Sequence, residues 1–90
     1  MRRTKMSVTI ENVKDVLRRH IAEVLYCGPE EVEEDVDFSD LGLDSVLSAE
    51  LTSAINSEYG LQTDIEVIHQ NPKLSLLAQY VVDQAAVTAA

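Results

Sequence analysis

The stretch Phe38-Ser39-Asp40-Leu41-Gly42-Leu43-Asp44-Ser45-Val46 decides the fold, because a long acidic connection stops within it and a strongly periodic helix starts. On its C-terminal side, at about 100° per residue, Leu47, Leu51, Ala54, Ile55 and Tyr59 share one arc, with Val46, Ala49 and Ser53 outside it. The spacing predicts a helix that begins at Asp44 or Ser45 and ends at Tyr59, with Gly60 supplying the left-handed cap. On its N-terminal side, Pro29 to Asp44 holds eight acids, interrupted by Val32, Val36, Phe38, Leu41 and Leu43. A solvated acidic tail has no use for five apolar residues. They predict a loop pinned across the helices, with Phe38 as its main anchor. A connection of this length inside a small domain is usually functional.

Working outward, Val13, Val16, Leu17, Ile21 and Val24 recur at spacings of three and four and predict a first helix from about Ile10 to Tyr26. Thr9 is its expected N-cap, and Cys27-Gly28-Pro29 ends it, with Gly28 read as the cap. A short helical piece is expected near Asp64 to Gln70, closed by Asn71-Pro72. Leu74, Leu77, Ala78, Val81, Val82 and Ala85 then predict a last helix, with Ala86 to Ala90 fraying beyond it. The fold class is all-α: a four-helix bundle of three long helices and one short one, with a long loop between helices 1 and 2. Ninety residues form a single domain, residues 1–90, with an ordered core of about 8–85 between flexible tails. So small a bundle holds one aliphatic core and little room for a deep cleft.

The net charge of −9 is unevenly placed. From His20 to Pro72 there are 13 acids and no Lys or Arg. Such a field repels nucleic acid and anionic membrane surfaces and attracts proteins with basic patches. No apolar run approaches the roughly 20 residues that span a bilayer, and the opening Met1-Arg2-Arg3-Thr4-Lys5-Met6 leads into no apolar signal segment. A cytoplasmic, monomeric protein is the expectation. The lone Cys27 offers no disulfide framework and reads as an inert thiol.

Ser45 stands at the junction of loop and helix, where a side chain is presented rather than buried. Nucleophilic catalysis there would need a base, but His20 and His69 lie on other helical segments and Gly-x-Ser-x-Gly is absent. No catalytic residue is therefore assigned. A calcium loop fails on register: starting at Asp35 puts Asp40 where the glycine belongs and Val46 where the bidentate glutamate belongs, and starting at Asp37 puts Ser48 at the last position. Two isolated histidines and one cysteine make no zinc set, so no metal site is assigned.

The run Phe38 to Val46, with the acidic loop before it and Leu47-Ser48-Ala49-Glu50-Leu51 after it, resembles the phosphopantetheine attachment site of acyl carrier proteins. The first helix, the Tyr59-Gly60-Leu61 helix end and the Asn71-Pro72 step into a Leu-rich helix occur in that family's order, so the resemblance covers most of the chain. It implies that Ser45 receives 4'-phosphopantetheine from coenzyme A through a separate, magnesium-using phosphopantetheinyl transferase. It implies further that the arm's thiol holds acyl groups as thioesters for partner enzymes, and that the chain itself is not an enzyme. Gly42 would let the loop turn beside the attachment point, and Asp44 would cap the helix and, by the resemblance, lie close to the transferase's metal. Val46, Leu43, Ala49 and Glu50 are the expected partner contacts.

Carriers for amino acids commonly show Gly-Gly, and often His, before the serine; Gly42-Leu43-Asp44 looks more like a polyketide-type carrier. Expected partners are then an acyltransferase, a ketosynthase and other polyketide enzymes, with no nucleic acid and no membrane. A second helix with only Glu50 and Glu58 after Asp44 is less acidic than that of fatty-acid carriers, and Leu51 stands where a tryptophan marks many carriers at which β-branches are installed. The alternatives are a peptidyl carrier protein of nonribosomal peptide synthesis and a non-carrier acidic helical adaptor that binds basic proteins. Met1 is compatible with a free-standing carrier and equally with an excised domain carrying added start residues.

Overall fold

The computed structural model describes residues 9–89. Among the described residues five helices run in chain order, α1 (Ile10–Leu25), α2 (Phe38–Leu41), α3 (Ser45–Tyr59), α4 (Glu66–Gln70) and α5 (Leu74–Ala89), with a 3-10 turn over Pro29–Glu31. No strand occurs among the described residues. The three long helices and one of the short ones are those the periodicity predicts. The difference is α2: the connection after α1 is not all loop but contains one further helical turn, too short to leave a period in the sequence.

The core is aliphatic, as a chain with one Phe and no Trp requires. Val13, Leu17 and Ile21 of α1 meet Leu51 and Ile55 of α3 and Leu74, Leu77 and Val81 of α5, all essentially inaccessible. α1 lies against both other long helices, so its apolar stripe is the centre of the bundle. At its start Thr9 Oγ1 accepts the Asn12 N–H at 3.2 Å, the N-cap the sequence predicts.

The first three helices end alike. A residue with positive φ turns the chain, and the next N–H reaches back five residues: Cys27 to Ala22 O at 3.0 Å, Leu43 to Phe38 O at 2.9 Å, Leu61 to Asn56 O at 3.1 Å. Gly42 and Gly60 supply two of these turns. The third corrects the sequence reading, because Tyr26 (φ 57°) caps α1 and Gly28 is extended. Gly28 instead donates its N–H to Glu31 Oε2 at 3.2 Å, starting the 3-10 turn. At the other end α5 is assigned through Ala89. The expected N-terminal tail lies outside the described residues.

The acidic connection is held from both sides. Phe38 is 3% exposed, and its N–H donates to Pro72 O at 2.7 Å. Val32 is buried, and its carbonyl accepts from Arg18 Nε at 3.2 Å. The Ser75 N–H, one of the unpaired donors at the start of α5, donates to Glu34 O at 3.1 Å. The loop is thus fastened to α1 and α5, and its far end delivers Ser45 to the start of α3.

Candidate functional site

Ser45 is exposed at the first position of the 15-residue α3. Asp44, in extended backbone before it, caps the helix: Asp44 Oδ1 accepts the Leu47 N–H at 2.9 Å and its carbonyl accepts the Ser48 N–H at 2.8 Å. The N–H groups of Ser45 and Val46 have no hydrogen-bond partner among the described residues, so the positive end of the helix dipole faces outward beside the Ser45 hydroxyl. Three residues earlier, Gly42 adopts φ 106° and ψ 9° at the end of α2. That turn sets α2 and α3 end to end and aims Ser45 away from the core.

A cleft of about 400 Å³ opens beside Ser45, between the start of α3 and α4. Its apolar wall is Phe38, Leu43, Ile68 and Pro72, and Ser39, Asp44, Ser48 and His69 add polar groups. His69, expected to be remote from Ser45, therefore shares a cleft with it, but among the described residues no hydrogen bond joins the two. His20 packs between α1 and α3, its Nε2 3.5 Å from Glu58 Oε1. No group of three or more metal-ligating side chains forms among the described residues.

Of the expected contact residues, Val46 (66% exposed), Ala49 and Glu50 share the outward side of α3. Leu43 is 8% exposed: the turn at Gly42 points its side chain inward, its N–H donates to Phe38 O, and it lines the wall of the cleft beside Ser45. Two features escaped the sequence reading. Tyr26, 94% exposed, is thrown outward by its own left-handed backbone at the end of α1, beside the attachment loop, where a Cβ on Gly42 would meet Leu25 Cδ2 at 3.7 Å. Ser48 and Thr52 are buried on α3, Thr52 Oγ1 donating to Ser48 O at 2.9 Å. The signal was positional: at about 100° per residue Ser48 falls between Ile55 and Tyr59 on the core-facing arc and Thr52 at its edge, and an apolar pattern passes over hydroxyl residues.

Away from the site, burial is the main cause that shifts Cys27 and Tyr59 from their ordinary values. Burial pushes the Cys27 thiol up, with Glu31 and Glu30 acting the same way, and a thiol so placed is poor in thiolate. Burial likewise raises the Tyr59 hydroxyl to about 12, reinforced by Glu58 and opposed by Arg19. No helix among the described residues is long and apolar enough to cross a membrane.

The family described as "Phosphopantetheine attachment site" matches residues 15–81. The polyketide synthase PksL of Bacillus subtilis is 36% identical over 73 residues, which is 81% of this chain and 2% of that protein. The chain thus spans a small fraction of the length of the curated relatives it matches. Among solved structures, the HMG-ACPI domain from the CurA module of Lyngbya majuscula superposes with a TM-score of 0.86 at 32% identity, covering 100% of this chain and 91% of that one. A free-standing peptidyl carrier protein of Acinetobacter baumannii superposes with a TM-score of 0.84 at 20% identity, covering 87% and 98%, a likeness of fold alone.

Proposed function

The chain belongs to the phosphopantetheine attachment family, and from that premise we propose that Ser45 is the residue that bears the arm. The protein is a carrier of the polyketide-synthase type, and its family carries covalently attached 4'-phosphopantetheine. The observation that carries the assignment of Ser45 is its placement: an exposed hydroxyl on the first residue of α3, with two unengaged N–H groups beside it and a cleft at its side.

These residues fit the group. A phosphodiester on Ser45 Oγ lies at the positive end of α3, an interaction of about 0.3–1 kcal/mol at an exposed site. Asp44 satisfies the Leu47 N–H and holds the first turn rigid under the load. Gly42 supplies the positive-φ turn that leads the chain from α2 to Ser45. When attached, the arm supplies a terminal thiol that holds the acyl group as a thioester. The chain's own residues are proposed to bind and present the cargo, the chemistry being left to partner enzymes.

The partners that act on the cargo are proposed to be a phosphopantetheinyl transferase, an acyltransferase, a ketosynthase and related enzymes of polyketide assembly, in the cytoplasm. Docking uses Val46, Ala49 and Glu50 of α3, with the exposed Tyr26 at the end of α1 as a further candidate, inside a field of acids that speeds encounter with basic surfaces and selects among them. Weak and fast exchange suits a protein that serves several enzymes in turn. The ordered carrier domain is proposed to extend over about residues 8–85, with the family match inside it.

The test is intact mass after incubation with coenzyme A and a promiscuous phosphopantetheinyl transferase. Wild type is expected to gain the mass of one phosphopantetheine and Ser45→Ala none. No gain on wild type would sink the assignment and leave the acidic adaptor reading standing; a gain persisting in Ser45→Ala would move the site.

A further inference from the structure

The cleft beside Ser45 contains a group that holding a phosphate at the start of α3 does not use. Ser48 is 4% exposed and lines the cleft. Its N–H donates to Asp44 O and its carbonyl accepts from Thr52 Oγ1, yet among the described residues its hydroxyl has no hydrogen-bond partner. Buried hydroxyls are nearly always paired, and leaving one unpaired is unfavourable. A serine there, where alanine would leave no polar group unpaired, points to an occupant that completes it.

We propose that the cleft seats the proximal segment of the arm hung from Ser45, with Ser48 Oγ hydrogen-bonded to that segment. The proposal rests on Ser45 as the attachment residue. Next to its phosphodiester, phosphopantetheine has a carbon bearing two methyl groups, then a hydroxyl and an amide carbonyl. The dimethyl carbon matches the apolar wall formed by Phe38, Leu43, Ile68 and Pro72, and the hydroxyl and amide match Ser48. Ser45 itself lines the cleft, so the tether delivers this segment at high effective concentration and a weak fit suffices. An acyl tail is a poorer occupant: it lies at the far end of the arm, and its saturated stretches leave the Ser48 hydroxyl unpaired. With the proximal segment seated, the thiol end extends beyond the cleft and stays available to a partner. Ser48 is thus a positioning residue that sets the direction in which the arm leaves the protein.

The experiment compares apo protein with holo protein, made from coenzyme A by a promiscuous transferase, for wild type and Ser48→Ala. Intact mass, NMR contacts between the two pantetheine methyls and the protein, and melting temperature are the readouts. Wild-type holo protein is expected to show contacts from those methyls to Leu43 and Ile68 and to melt above the apo form. Ser48→Ala is expected to take the same mass gain and, as apo protein, to melt no lower than wild type, having lost only an unpaired hydroxyl. Loading should then raise its melting temperature by half the wild-type increment or less. Mass gain with no methyl contact to any cleft residue overturns the cleft proposal while leaving attachment intact. Contacts and melting increment unchanged in Ser48→Ala overturn the role of Ser48. Absence of mass gain on wild type overturns both readings. The wild-type contacts decide the cleft even if the variant fails to fold.

Discussion

Two residues occupy left-handed backbone for opposite reasons. Gly42, at φ 106°, has room for a side chain, since a Cβ there would make only an ordinary contact with Leu25 Cδ2 at 3.7 Å. The obstacle is the backbone itself, so Gly42→Ala is expected to cost about 1–3 kcal/mol, read in urea unfolding. A loss below 0.5 kcal/mol, about the scatter of neutral surface changes, would show that the turn relaxes. Tyr26 adopts φ 57° with its ring 94% exposed, so it bears the left-handed cost with almost no burial in return. Tyr26→Gly is therefore expected to stabilise the fold by about 1 kcal/mol. If the ring is a docking anchor, the same variant slows acyl transfer with partner enzymes while Ser45 loads normally. A variant that melts no higher than wild type would overturn the strain reading. A residue that departs from the local rule beside a functional loop is where stability and function are expected to conflict.

At the scale of elements, the decisive joint is that between α1 and the acidic connection. Lys14 Nζ lies 2.6 Å from Glu34 Oε1, with the two side chains 19% and 40% exposed. The hydrogen bond from Lys14, and then its charge, hold the Glu34 carboxyl below its ordinary value, and the same hydrogen bond holds Lys14 above its own. A depressed carboxylate contributes stability that is fully present above its unfolded value of about 4.3 and is lost as pH falls through the lower folded value. A raised lysine contributes below about 10.4 and loses its share only as pH rises through the higher folded value. Lys14→Met is therefore expected to lower the melting temperature at pH 7 and to flatten its fall below about pH 4.3. Parallel wild-type and variant profiles across that range would remove the pair from the account. Much of this layer was legible beforehand: periodicity placed the long helices, Thr9 and Asp44 their N-caps, and Phe38 the anchor of the loop. What escaped was set by tertiary packing or hidden by residue type. Leu43 turns inward because Gly42 closes α2, a helix of one turn that no periodicity reveals, and Ser48 and Thr52 are buried within and at the edge of the core-facing arc of α3, where their hydroxyls left them out of an apolar pattern.

For the whole molecule, the question is whether attraction or repulsion governs the charged surface. Sixteen acids face seven bases, and the principal extents are 40, 25 and 19 Å. At 10 mM salt the screening length is about 30 Å, so most acids on one side of the fold act on those of the other. At 150 mM it is about 8 Å, and only near neighbours remain coupled. Screening also weakens the favourable pairs of Lys14 with Glu34 and Arg18 with Asp15, but these are short contacts, less sensitive to salt than the long-range field. Repulsion is therefore the term that salt removes. The melting temperature is expected to rise between 10 and 150 mM sodium chloride, by about 4–8 °C for each kcal/mol relieved in a domain of this size. Magnesium should achieve the same rise at lower concentration, because a divalent ion screens the acid-dense loop more effectively. Scanning calorimetry over a salt series checks this directly: a flat or falling melting temperature would mean that the ion pairs outweigh the field. Docking on basic partners would move the opposite way, its association rate falling over the same range, because the acids that repel one another in the free protein are those that steer it to its enzymes.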